Sequence, residues 1–91
     1  MNEKAIYQKA LNEWGVQAQI TMVFEEMSEL QKALCKFLRG ANNSQDVCEE
    51  IADVEIMLGQ MKVLFGDENT IENYKEQKLK RLEKRLTHSN V

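Results

Sequence analysis

The sequence predicts an all-α domain of four helices. Three observations carry this. Helix formers dominate the 91 residues and Pro is absent, so nothing breaks a helix from within. Apolar residues recur at three-and-four spacing along most of the chain. Gly15, Gly40 and Gly66 punctuate that pattern where it lapses. The length sets one domain, residues 1–91, as the expectation.

The first helix is expected over residues 3–14, where Ile6, Tyr7, Ala10, Leu11 and Trp14 make one stripe. Trp14 reads most simply as a core anchor, with stacking on a bound base as the rarer role of such a ring. The second helix, 16–39, has its apolar face at Ile20, Val23, Met27, Leu30, Leu34, Phe37 and Leu38. Gly40 is placed to cap its end, after Lys36 and Arg39 in the last turn. A loop over 41–44 offers Asn43 or Ser44 as N-cap of the third helix, 45–65. There the face is Val47, Ile51, Val54, Leu58, Met61 and Phe65. A turn over 66–69 leads to the fourth helix, 70–87, with Thr70 as its cap and a strip of Leu79, Leu82 and Leu86. Residues 88–91 are expected to fray.

Several classes are excluded or disfavoured. A net charge of −3 argues against a duplex DNA binder, which shows a basic face. No apolar run is long enough to span a bilayer. The first residues, MNEKAIYQKALNEW, are too polar for a signal peptide. Cys35 and Cys48 fall inside helices and form no ligand or disulfide framework, so they read as reduced packing residues of a cytoplasmic protein. The third helix has a second apolar side at Cys48, Ala52, Ile56 and Val63, and the second helix a weaker one at Phe24 and Cys35. A helix apolar on two sides is buried on two sides, which a chain this short cannot easily arrange alone, so a homo-oligomer is expected.

Two acidic clusters break the pattern, Glu25-Glu26-x-x-Glu29 and Glu49-Glu50-x-x-Asp53. At about 100° per residue, Glu50 falls inside the apolar face of its helix and Asp53 at its edge, with Glu49 pointing away. Glu26 borders the face of the second helix, Glu29 lies slightly further round, and Glu25 is nearly opposite. If the two helices pack antiparallel, four carboxylates converge. Like charges near a core raise each other's pKa, so either some hold protons or a cation sits among them. An oxygen-only donor set suits Mg²⁺, Ca²⁺ or Mn²⁺. The Glu-x-x-His pairs of di-iron bundles are missing, since His88 is the only histidine. The G-x-x-x-x-G-K-[ST] phosphate loop is missing too.

The order Glu25-Glu26-x-x-Glu29, twenty intervening residues, then Glu50-x-x-Asp53 resembles the EExxE…ExxD pattern of the MazG-like nucleotide pyrophosphohydrolases. Leu30 and the run Val54, Ile56, Met57, Leu58 flank the motifs in the same way, and the similarity covers roughly residues 15–65. The resemblance implies a four-helix MazG-like bundle completed by assembly into a homodimer or homotetramer. It implies that Glu26, Glu29, Glu50 and Asp53 hold Mg²⁺, with Mn²⁺ as a substitute. The implied reaction is hydrolysis of a (deoxy)nucleoside triphosphate between its α and β phosphates, giving monophosphate and pyrophosphate. An acid left over by the metal would serve as general base, Glu29 or Glu25. Several members of the family carry cations on the last helix. Here Lys78 borders the leucine strip and Lys75 lies on it, and both are candidates for phosphate. Base recognition is unassigned, with Gln19 and Trp14 possible and more readily structural. Phosphoribosyl-ATP pyrophosphatase is a related enzyme reading. A non-catalytic helical adaptor is the rival of another class, and Glu50 speaks against it, because a structural helix has little reason to place Glu in a strip of Val, Ile, Leu and Met.

Overall fold

The computed structural model describes residues 1–66 and 68–89, without the side chains of Glu68, His88 and Ser89; Asp67, Asn90 and Val91 lie outside the described residues. Four helices follow one another: α1 Glu3–Trp14, α2 Val16–Leu38, α3 Ser44–Leu64 and α4 Glu68–Ser89. Among the described residues there is no strand, and no helix is long and apolar enough to cross a membrane.

The ends follow capping chemistry. The Asn2 side chain accepts from the Ala5 amide at 3.0 Å and starts α1. α2 closes in a Schellman arrangement, in which the Gly40 and Ala41 amides donate to the Phe37 and Lys36 carbonyls. Gly40 holds φ 97 there, a backbone that side chains rarely adopt. Asn43 is the N-cap of α3, but its side chain caps nothing. Its Nδ2 donates 3.0 Å to the Ala33 carbonyl and ties the loop back to α2. Thr70 is not a cap: α4 begins two residues earlier, at Glu68, and runs to Ser89.

α2 and α3 form an antiparallel helical hairpin, and α1 packs across both. Its contact with α3 depends on Gly59. A Cβ at that position would stand 2.7 Å from Cζ of Tyr7, so a larger residue would push the end of that ring aside. Among the described residues, α4 packs its backbone against α3, and its Glu72 and Lys75 share a groove with Tyr7 of α1.

The contacting faces differ from those that apolar spacing predicts. The inner stripe of α2 runs Gln19, Val23, Glu26, Leu30, Ala33, and that of α3 runs Glu50, Asp53, Met57, Gln60, Leu64, all buried or half-buried. Both alternate in threes and fours, as a helix–helix seam must. Ile51, Leu58 and Phe65, expected in the core, are exposed. So are Met27, Leu34, Phe37 and Leu38 on α2. By helical geometry α3 is turned roughly a quarter turn from the expected orientation. α1 takes the side of Gly59 and α4 docks on the same helix, so α3 serves three neighbours and no single apolar stripe decides its facing.

Two further expectations are not met in the single chain. Trp14 is 65 % exposed and anchors no core. Leu11, one turn away, is the buried member of that stripe. Cys35 and Cys48 are free and exposed, so they pack nothing here.

Candidate metal centre

The turned seam carries the acids to its middle. Glu26 sits between Val23 and Leu30 on α2, and Glu50 and Asp53 occupy successive inner positions of α3. Carboxylate oxygens of Glu26, Glu50 and Asp53 all lie within 4.8 Å of one another, and the three residues are half-buried. Glu50 and Asp53 are one helical turn apart, so a single face presents both to Glu26 across the seam. A bundle would ordinarily fill these positions with Val, Leu or Ala.

The electrostatics follow from the crowding. Removal from water raises the Glu26 carboxyl above its ordinary value. The negative charges of Asp53, Glu29 and Glu25 and a hydrogen bond with Asp53 add to the effect. Glu50 is raised in the same way, first by desolvation and then by Asp53, Glu26, Glu29 and Glu49. One buried oxygen of Glu50, Oε2, has no hydrogen-bond partner. A carboxylate oxygen withdrawn from water and left unsatisfied is costly, and a cation or a proton relieves it.

The remaining sequence-predicted residues lie around this triad. Glu29 is exposed, outside the triad, and lines an adjoining cavity of about 150 Å³ that Glu50 also borders. Glu25 is exposed and acts on Glu26 only through its charge. Lys75 lines a different groove, where Tyr7, Ile56 and Gly59 meet α4. Helical spacing puts that groove on the side of α3 away from Glu50 and Asp53. Lys78 is exposed on α4, which among the described residues has no backbone contact with α2. Gln19 is buried on the inner stripe of α2, two turns from Glu26, and Gln60 is buried on that of α3, two turns from Asp53.

Sequence reasoning passed over the cations nearest the acids. Lys32 and Lys36 line the same cavity as Glu29 and Glu50, as does Asn43. The signal was present, since Glu29, Lys32 and Lys36 stand at i, i+3 and i+7 of one helix and so share a side. Compared with family models, curated proteins and solved structures, the chain matches none of them.

The raised carboxyls predict a pH signature without metal. A group whose folded pKa lies above its unfolded value supports stability below the unfolded value and loses that support as pH rises through the folded one. For Glu26 and Glu50 the loss therefore begins near the ordinary value of 4.5 and continues above it. Glu50→Gln removes one of the two groups. In chelator at neutral pH the variant should melt above the parent, and the gap should narrow as pH falls toward 4.5. Paired thermal melts across that range check it, and a gap indifferent to pH would mean that Glu50 does not titrate within the cluster.

Proposed function

We propose that this chain is a Mg²⁺-dependent nucleotide pyrophosphohydrolase of the MazG-like kind, acting as a homo-oligomer. The observation that supports it best is the meeting of Glu26, Glu50 and Asp53, with oxygens within 4.8 Å, at the middle of a helix seam. The two motifs of the sequence supply these acids from two helices, in the order and spacing that the family resemblance implies.

The residues suit a hard divalent cation. Three carboxylates provide oxygen donors alone, and the unpartnered Oε2 of Glu50 is a free acceptor at the site. Glu26, Glu50 and Asp53 would hold the ion, with Glu29 completing the set from the next turn. Mg²⁺, or Mn²⁺ in its place, supplies charge neutralisation and orientation of phosphate oxygens when bound. Glu29 is exposed beside the triad and borders the cavity, so it suits the role of accepting the proton of a water that attacks the α-phosphorus. Glu25 would take that role only from a different approach, since it is exposed outside the triad. Lys75 lines a groove apart from the triad, and among the described residues α4 has no backbone contact with α2, so Lys75 and Lys78 would meet the phosphates more readily from a second copy.

The test is pyrophosphate release from a panel of ribo- and deoxynucleoside triphosphates, with and without Mg²⁺. Monophosphate and pyrophosphate in equal amounts, dependent on metal, are expected. Orthophosphate with diphosphate would mean that a different bond is cut. If no nucleotide is turned over, phosphoribosyl-ATP is the next substrate, and inertness toward that as well would overturn the enzymatic reading.

A further inference from the structure

The cavity beside the triad is lined by both signs of charge. Glu29, Asp46, Glu49 and Glu50 contribute carboxylates, and Lys32 and Lys36 contribute ammonium groups. The two signs do not neutralise one another. Among the described residues, neither lysine has a carboxylate oxygen within 4.0 Å. Two buried acceptors also stand unpartnered here, Oε2 of Glu50 and Oδ1 of Asn43. Asn43 is fixed in that sense, because its Nδ2 is committed to the Ala33 carbonyl at 3.0 Å. The cavity thus offers carboxylates to something cationic and two ammonium groups without a contact ion pair to something anionic.

A metal-bound phosphate group has both characters. Its cation faces the carboxylates and its oxygens face the lysines. At about 150 Å³ the cavity is smaller than the roughly 300–1,000 Å³ pockets that enclose whole small ligands, so it suits the charged end of a nucleotide and not the nucleoside. We propose that Lys32 and Lys36 of α2 are the phosphate-binding residues of this site, holding the β and γ phosphates that leave together as pyrophosphate. This rests on the pyrophosphohydrolase reading and moves the phosphate contacts from α4 to the helix that carries Glu26 and Glu29. Lysine acts there as a compact charge at the rim, able to follow the leaving group as it departs.

The test uses the full chain, with inorganic pyrophosphate plus Mg²⁺ as the titrant and Mg²⁺ alone as the reference. Lys36→Met and Lys32→Met should each weaken Mg²⁺-pyrophosphate binding about tenfold or more, the effect of losing a charge-assisted contact to phosphate. The thermal shift given by Mg²⁺ alone should be retained in both, and Lys36→Arg should recover most of the pyrophosphate affinity. A lysine that merely balanced the acids would change the response to Mg²⁺ alone, which separates the two roles. Both side chains are exposed, so the fold does not depend on them. If the variants bind Mg²⁺-pyrophosphate like the parent while the parent hydrolyses nucleotides, the proposal is overturned and the pyrophosphohydrolase reading stands. The proposal falls equally if Lys78→Met weakens binding in their stead. A parent chain that neither binds Mg²⁺-pyrophosphate nor releases it from any nucleotide overturns both.

Discussion

Glu50→Gln should reduce Mg²⁺-dependent pyrophosphate release at least about 100-fold, the scale on which removing one electrostatic stabiliser of a transition state is felt. The substitution keeps the shape and deletes one charge from a triad whose oxygens lie within 4.8 Å. Loss of turnover alone would prove little, since a damaged fold loses turnover too. The informative feature is the opposite sign of the stability change. Without metal, the parent holds a crowded carboxylate with one oxygen unpartnered, and the variant should be the more stable protein. With millimolar Mg²⁺ the order should reverse, because an ion that binds only the folded state raises the melting temperature of the chain that can hold it. Turnover assays and paired melts in chelator and in Mg²⁺ check all three statements. Retained turnover would remove Glu50 from the site, and a variant less stable in chelator would mean that its charge is satisfied by something other than metal.

The meeting of acids from two helices was legible in the sequence to the extent that it depends on spacing, with three of the four expected carboxylates in the triad. Two acids three residues apart on each of two helices, with a short loop between, can meet in few ways other than those found for Glu26, Glu50 and Asp53. The breaks between the first three helices were legible for a similar reason, because Gly15 and Gly40 act locally, through backbone conformations that need no partner. The facing of the helices was not legible. α3 has apolar residues on more than one side, and a stripe of Val47, Ile51, Val54, Leu58 and Phe65 outweighs Glu50, Asp53 and Gln60 in any reckoning by hydropathy alone. The inner face is set by contacts that periodicity does not encode, notably Tyr7 against Gly59, which directs α1 to one side of α3 and leaves the acids turned toward α2. Spacing therefore places the acids at the rim of the seam, and the fold places them in it. Trp14 failed for a related reason. It ends α1 at the turn through Gly15, where the chain departs before anything can cover the ring.

A double substitution on α4, Leu79→Glu with Leu86→Glu, should convert the native assembly into monomers with reduced helix content. From Glu72 to Thr87 every side chain of α4 is exposed in the single chain, and among the described residues its backbone packs against α3. Helices in proteins draw most of their stability from packing of an apolar face, so packing has to hold it. Leu79, Leu82 and Leu86 form the strip available for packing, at 54, 47 and 56 % exposure. The radius of gyration points the same way, 16.4 Å against about 12 Å for a compact chain of this length. Ile51, Leu58 and Phe65 on α3, and Phe37 and Leu38 on α2, are further apolar surface without cover in the single chain. In the proposed homo-oligomer a second copy would supply matching surface, and in a two-fold interface each substitution would act twice. Burying a leucine fully is worth roughly 1.5–3 kcal/mol, and these begin about half covered. Two leucines in two copies then contribute about 3–6 kcal/mol, which is a factor of roughly 10²–10⁴ in the dissociation constant. Sedimentation velocity on parent and variant, read beside far-UV circular dichroism, measures it. The parent should sediment as a dimer or larger, and the variant as a monomer with its last helix partly melted. A parent that sediments as a compact monomer would mean that α4 folds back over the leucine strip in solution, and the oligomeric part of the proposed function would fall with it.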